Sequence, residues 1–224
     1  MPKKFTLIKL FTFLGNLGIP IYAFVLYFSC LRTITGFLFF LFISSCIIER
    51  GWETFKTSKE KKKEELHGDW TLAAVTGSYL FLFTLFIGEF YLRVRTINIS
   101  SSIIGLLLLA LSFRLRFWGM AALGKQWAVH AVGAQKIKRV RLVKIGPYKY
   151  IRHPVYLGIM IEELSFPIIA NASLSLLFVI LVCLPLVVIR ARMEEKTSLR
   201  RFGNKYMAYQ KSIGMFFPTQ LLKN

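Results

Sequence analysis

Arg152, His153 and Tyr156 stand at the start of one apolar segment, and Arg190, Glu194 and Glu195 stand at the end of the next. Pro154 suits the first turn of a helix, where its missing N–H costs nothing, and Gly146-Pro147 before it makes a turn. Arg152 and His153 are thereby set at a helix N-terminus, where unpaired N–H groups and the dipole favour an anion. Tyr148, Tyr150 and Tyr156 add aromatic faces and hydroxyls. Arg190 and Glu194 are four apart and share one helix face. Glu162 and Glu163 lie two turns inside an apolar helix, where carboxylates are expensive and face a cavity or a partner. Each feature has a plainer counterpart: an aromatic, basic belt at a lipid interface and a surface ion pair of little worth.

These groups meet only if the chain doubles back between them. Apolar segments run at about Phe5–Phe28, Ile34–Ile48, Trp70–Leu92, Ile97–Phe113, Pro154–Ala170 and Leu174–Ile189. Most approach the roughly 17–25 residues of a membrane span, and the second is short. Only Asn171, Ala172 and Ser173 separate the last two, so they form a helical hairpin with both mouths on one face. Asn171-Ala-Ser reads as a turn rather than a glycosylation site. In the first segment Gly15, Gly18 and Pro20 mark a kink or a close helix contact.

The composition agrees with a membrane protein. Of 224 residues 55% are hydrophobic and only 18% charged, with 21 Phe, more apolar than a soluble domain of this size. Of 30 Lys and Arg, 27 fall in alternate connections, up to Lys9, Arg50–Lys63, Arg114–Arg152 and Arg190–Lys223. Arg32, Arg93 and Arg95 are alone on the other side. Six spans with both termini in the cytosol reproduce this asymmetry. The net charge of +19 is explained by orientation, which argues against nucleic acid as a partner. Cys30, Cys46 and Cys183 lack metal-ligand spacing and read as buried thiols. Lys3 and Lys4 open an uncleaved first helix, since no small-x-small site follows.

The fold expected is an all-α polytopic membrane bundle of about six apolar segments. The last two form the hairpin, joined by cytosolic loops and a C-terminal helix. Residues 1–113 supply N-terminal helices and 114–224 the chemical core. The location expected is a bacterial inner membrane, or the endoplasmic reticulum of a eukaryote.

Gly146-Pro-Tyr-x-x-x-Arg152-His-Pro-x-Tyr156-x-Gly158, an apolar hairpin, Glu194-Glu195 and Phe202-Gly-x-x-Tyr206-x-x-Tyr209 follow in order. This pattern, from Leu123-Gly124 to Phe217-Pro218, resembles the isoprenylcysteine carboxyl methyltransferase family. The resemblance implies a membrane methyltransferase that uses S-adenosyl-L-methionine and methylates a lipophilic or prenylated acceptor, foremost at a carboxylate or hydroxyl oxygen. It places Leu142, Val143, Tyr148, His153, Pro154, Val155 and Tyr156 in the cofactor pocket, with Gln135 as a looser contact. Glu194 and Glu195 match the cofactor-binding carboxylates, and Arg190 the arginine that reaches the acceptor. Arg152 with His153 would hold the methionine carboxylate, and Glu195 or Glu162 would serve as base for a neutral hydroxyl. The family often has a His ahead of the Leu-Val pair, where this chain has Arg141. No metal is implied. A sterol-type reductase using NADPH and a transporter or scaffold using Glu162 and Glu163 are the alternatives.

Overall fold

The computed structural model describes residues 3–58, 70–124, 126 and 141–218, the side chains of 3–14, 16 and 50–58 excepted. Among the described residues every named element is helical: α1 (Lys3–Cys30), α2 (Ile34–Ser58), α3 (Trp70–Glu89), α4 (Ile99–Leu123), α5 (Pro154–Ala170), α6 (Ser173–Phe178), α7 (Leu184–Phe202) and α8 (Asn204–Ser212). A π-helical turn at Phe90–Val94 extends α3, and another at Val179–Cys183 joins α6 to α7. Among the described residues three continuous stretches are long and apolar enough to cross a membrane: Trp70–Val94, Ile99–Leu123 and Ser173–Phe202. Leu17–Cys30 and Ile34–Glu49 are shorter apolar stretches, and α5 has 17 residues, at the low end for a span. Large side chains such as Leu107 and Leu181 lie on the outside. That exposure is unfavourable in water and suited to lipid.

Helix ends sort onto two faces of the bundle. The start of α3, the end of α4, the start of α5 and the polar half of α7 share one face. Glu89, Ser102, Ile169 and Ser175 mark the other. There the Ser102 hydroxyl donates to the Ile169 carbonyl at 3.0 Å. The Glu89 carboxylate accepts from the Leu174 and Ser175 N–H groups at 3.0 and 2.9 Å and from the Ser175 hydroxyl at 2.8 Å. It thus satisfies the open N-terminal donors of α6, which lacks a capping side chain of its own. Asn171 takes the left-handed conformation at φ 53° and closes the short turn between α5 and α6.

The α4–α5 contact is the closest in the bundle, and its sequence explains why. The buried face of α4 is Gly105, Leu109, Ser112, Arg116, Gly119 and Leu123, alternating steps of four and three. That is the seam of two helices packed along their length, with a small residue at every seventh position. A Cβ at Gly105 would meet Ile169 and Ser165, and one at Gly119 would meet Val155. The two backbones therefore touch, antiparallel, as small residues allow in lipid. At Gly15 of α1 a Cβ would meet Leu80 of α3, whereas Gly18 has open space. The glycines of the first segment therefore mark a contact at one position only, and α1 runs helical through Pro20.

Two boundaries differ from the sequence reading. Segment four does not stop at Phe113; α4 continues to Leu123 and is closed by Gly124 at φ 53°. Arg114 looked like the start of a loop, but arginine is a good helix former. Arg116 also has a partner inside the bundle. It forms a buried ion pair with Glu162, whose other oxygen accepts from the Tyr79 hydroxyl at 3.0 Å. The last segment likewise runs on past Ile189 to Phe202. Cys46 and Cys183 are buried, while Cys30 is half-buried; all three are free thiols.

The Arg116–Glu162 pair generates a stability prediction. Arg116→Ala leaves a buried carboxylate without its charge partner and should lower stability by about 3–5 kcal/mol. Arg116→Met with Glu162→Leu, which removes both charges, should recover most of that loss. Thermal unfolding in detergent reads both.

Candidate active site

The Gly146-Pro147 turn does more than change direction. A single 3₁₀ turn spans Gly146–Lys149, and Gly146 has φ 60°, which glycine adopts without strain. The chain then runs extended against the C-terminal segment. The Arg152 N–H donates to the Gly214 carbonyl at 2.9 Å and the His153 N–H to the Met215 carbonyl at 3.1 Å. Residues 213–215 therefore form a strap across the start of α5, where Pro154 occupies the first helical position.

Glu195 gathers this region. Its Oε1 accepts from Arg152 Nε at 2.7 Å and lies 3.1 Å from His153 Nε2, and its Oε2 accepts from Gln210 at 2.9 Å. It sits on the polar extension of α7, beyond the apolar stretch that ends at Ile189. Burial acts to raise its carboxyl, but hydrogen bonds and charge from His153 and Arg152 outweigh burial and hold it down at about 2. Arg152 also donates through Nη1 to the carbonyls of Gln210, at 3.1 Å, and Ile213. Tyr209 donates to the Tyr148 carbonyl at 2.6 Å. The α8–strap segment is thus fastened to the start of α5 by one carboxylate, one guanidinium and one phenol.

A second group adjoins the first. The Tyr156 hydroxyl donates to Glu194 and accepts from Arg190. Arg190 Nη1 donates to the Thr71 hydroxyl at 3.0 Å. The Tyr156 and His153 rings lie 5.6 Å apart, which joins the groups. Tyr148 is buried close by, and burial followed by the nearby Glu194 and Tyr209 pushes its phenol upward, so it stays a neutral hydroxyl. Together these side chains offer two carboxylates, two partner-held arginines, an imidazole and three phenols, between apolar helices and the strap.

Not every expected site residue falls here. Val155 and Pro154 are buried against Gly119 of α4. Val143 is half-buried, and Leu142 packs with Leu199 and Phe202 against Tyr206, Tyr209 and Ile213. Glu162 does not join the group. It lies nine residues along α5 from His153, roughly 13 Å by helix rise, and is held by Arg116 and Tyr79. Arg152 faces Glu195 and the carbonyls of Gln210 and Ile213. Gln135 lies outside the described residues, as does His130. Beside the strap, Arg141, Leu142, Lys144, Phe202, Lys205 and Ala208 line an open groove of about 550 Å³. Lys144 is poised 5.4 Å over the Tyr209 ring.

The sequence reading missed three participants. Gln210 lies in the C-terminal helix with no motif to mark it. Thr71 opens an apolar segment and looks like a boundary residue. Arg116 was counted with the loop cations. Only Arg116 had a usable signal, since Glu162 in an apolar helix required a partner.

Comparison with known proteins agrees with this geometry. The chain is 26% identical over 165 residues to the uncharacterised Bacillus subtilis protein YpbQ, covering 71% of this chain and 95% of that one. It is 31% identical over 117 residues to protein-S-isoprenylcysteine O-methyltransferase of Saccharomyces cerevisiae, covering 52% of this chain and 48% of that one. It is 33% identical over 72 residues to methanethiol S-methyltransferase of Pseudomonas deceptionensis, covering 32% of this chain and 26% of that one. The chain thus spans about half or less of these named enzymes. In structure it resembles the eukaryotic intramembrane Ras methyltransferase ICMT at a TM-score of 0.50 and 20% identity, over 96% of this chain and 87% of that one, a likeness of fold. The family model for isoprenylcysteine carboxyl methyltransferases matches residues 103–200, which carry His153, Tyr156, Arg190, Glu194 and Glu195. The likeness to the isoprenylcysteine carboxyl methyltransferase family thus covers a little under half of the chain, from α4 to α7.

Proposed function

We propose that the protein transfers a methyl group from S-adenosyl-L-methionine to a lipophilic acceptor at the cytosolic face of a membrane. The observation that carries this reading is the junction of two polar groups, His153 with Glu195 and Tyr156 with Arg190 and Glu194, between apolar helices and the strap. A water-soluble cofactor and a lipid-borne acceptor need a site that meets both phases, and we assign that part to this junction.

The donor set suits the cofactor. Glu194 offers a carboxylate to an ammonium group or ribose hydroxyls, and the Tyr148 and Tyr156 faces favour a sulfonium cation. Bound there, S-adenosyl-L-methionine supplies an electrophilic methyl group that passes in line to a nucleophile. His153, held by Glu195, and the N–H groups at the start of α5 would face the methionine carboxylate. Arg152 would act through the strap, holding α8 and residues 213–215 over that end. Arg190 would orient an anionic acceptor oxygen or sulfur, and such a nucleophile needs no base. Positioning then supplies most of the rate. Of the described carboxylates, Glu194 and Glu195 lie in this junction and would assist a neutral hydroxyl.

We place this face in the cytosol, with both termini, because 25 of the 28 Lys and Arg other than Arg114 and Arg116 of α4 fall toward one side when the chain crosses six times. The acceptor class is a carboxylate or hydroxyl oxygen on a lipophilic or prenylated molecule. The names of the relatives add a thiol to be tested.

Three outcomes follow. Membranes given cofactor labelled in its methyl group should yield labelled, lipid-extractable product, and His153→Ala should reduce this by at least about 10-fold; equal transfer by both would defeat the reading. Single cysteines at Arg32 and at Gly203 should react with an impermeant maleimide from opposite sides of sealed vesicles. Glu195 also sets a pH window. Its folded value, about 2, is below its ordinary 4.5, so its stabilisation is complete above 4.5 and fades as pH falls towards 2. The Tm gap between wild type and Glu195→Gln should therefore be flat from pH 8 to 5 and narrow below.

A further inference from the structure

The N-terminal helices match the family pattern only as apolar segments, yet α3 reaches into the site. Thr71, in its first turn, is fully buried, and its hydroxyl accepts from Arg190 Nη1 at 3.0 Å. Arg190 itself is 7% exposed. Tyr156 from α5 accepts from the same side chain and donates to Glu194 of α7. The guanidinium of this α7 residue is thus held from two facing helices, α3 and α5.

A guanidinium is a planar fork of five N–H donors on a long, flexible stem. Its usefulness to an acceptor depends on the direction of its plane, and one hydroxyl on a facing helix can set that direction. Valine would fill the same volume as threonine in this apolar surrounding, and would leave the buried Nη1 donor without that partner.

We propose that Thr71 is a positioning residue for Arg190, and that α3 thereby helps to set the alignment of the methyl acceptor. This rests on the reading of Arg190 as the acceptor-facing arginine. Thr71 touches neither substrate; it acts through the guanidinium. The consequence is specific: disturbance of Thr71 should weaken the acceptor side of the reaction and leave the cofactor side alone.

The test uses the full-length protein in lipid nanodiscs with Thr71→Val and Thr71→Ser. Acceptor probes are an N-acetyl S-prenylcysteine and methanethiol, and the cofactor probe is S-adenosylhomocysteine. Thr71→Val should raise the KM of the accepted probe about 10-fold with cofactor-probe Kd within about 2-fold, and Thr71→Ser should recover the acceptor KM. An unchanged acceptor KM in Thr71→Val overturns the proposal. So does an equal loss on both sides accompanied by a lower Tm, which is what a merely structural role predicts. Should wild type methylate neither probe, phenylglyoxal labelling decides separately. Arg190 in Thr71→Val should then be labelled several-fold faster than in wild type and Thr71→Ser, and equal labelling in all three overturns the positioning role.

Discussion

One carboxylate makes the chemical end of this molecule possible. Glu195 accepts from Arg152, His153 and Gln210, so it ties the start of α5, the extension of α7 and the C-terminal helix at a single point. The start of α5 is held by α4 through Pro154 and Val155, whereas α8 has no such apolar face. Outside lipid, α8 keeps only Tyr206, Tyr209 and Ile213 as a small core with its neighbours. An ionised acceptor held by several donors is strong where water is partly excluded. It also has a direction, which an apolar contact lacks. The orientation of His153, and of everything its ring faces, is inherited from that junction.

Beneath it the bundle solves a different problem. Lipid provides no hydrophobic force to press one helix on another, so closeness must come from shape. Gly105, Ser112 and Gly119 supply it on α4, and α5 answers with Gly158 and Ser165. The Arg116–Glu162 pair lies in the same seam. Two charges at that depth are tolerable because each neutralises the other and Tyr79 adds a hydroxyl. Their place in the seam makes them part of the register between α4 and α5.

The chemistry-bearing residues of the C-terminal half were legible because their types are conspicuous against an apolar background. A His-Pro pair at a helix start and a Glu-Glu pair after an apolar run are easy to see, and the short Asn171 turn brings their segments together. Partners that cross between distant helices were not legible. Nothing in the periodicity of α3 singles out Thr71, since a threonine at the first turn of a helix is commonplace. Gln210 is equally ordinary until the strap folds it over Glu195. The contacts of Arg152 were hidden for a related reason. Its type suited an anion, but three-dimensional closure offered nearer acceptors in Glu195 and two carbonyls. Glu162 illustrates the same limit from the other direction. Its depth was readable and its partner was not, because Arg116 resembled the first residues of a loop.

α3 is anchored by polar groups at both ends, through Thr71 to α7 and through Glu89 to the beginning of α6. The two anchors are eighteen residues apart, roughly 27 Å along the axis, close to the ~30 Å of a hydrocarbon core. A rod pinned at each end cannot lean alone. In a bilayer of the wrong thickness, this protein must therefore tilt as a whole or deform the lipid around it, and α3 serves as its fixed gauge.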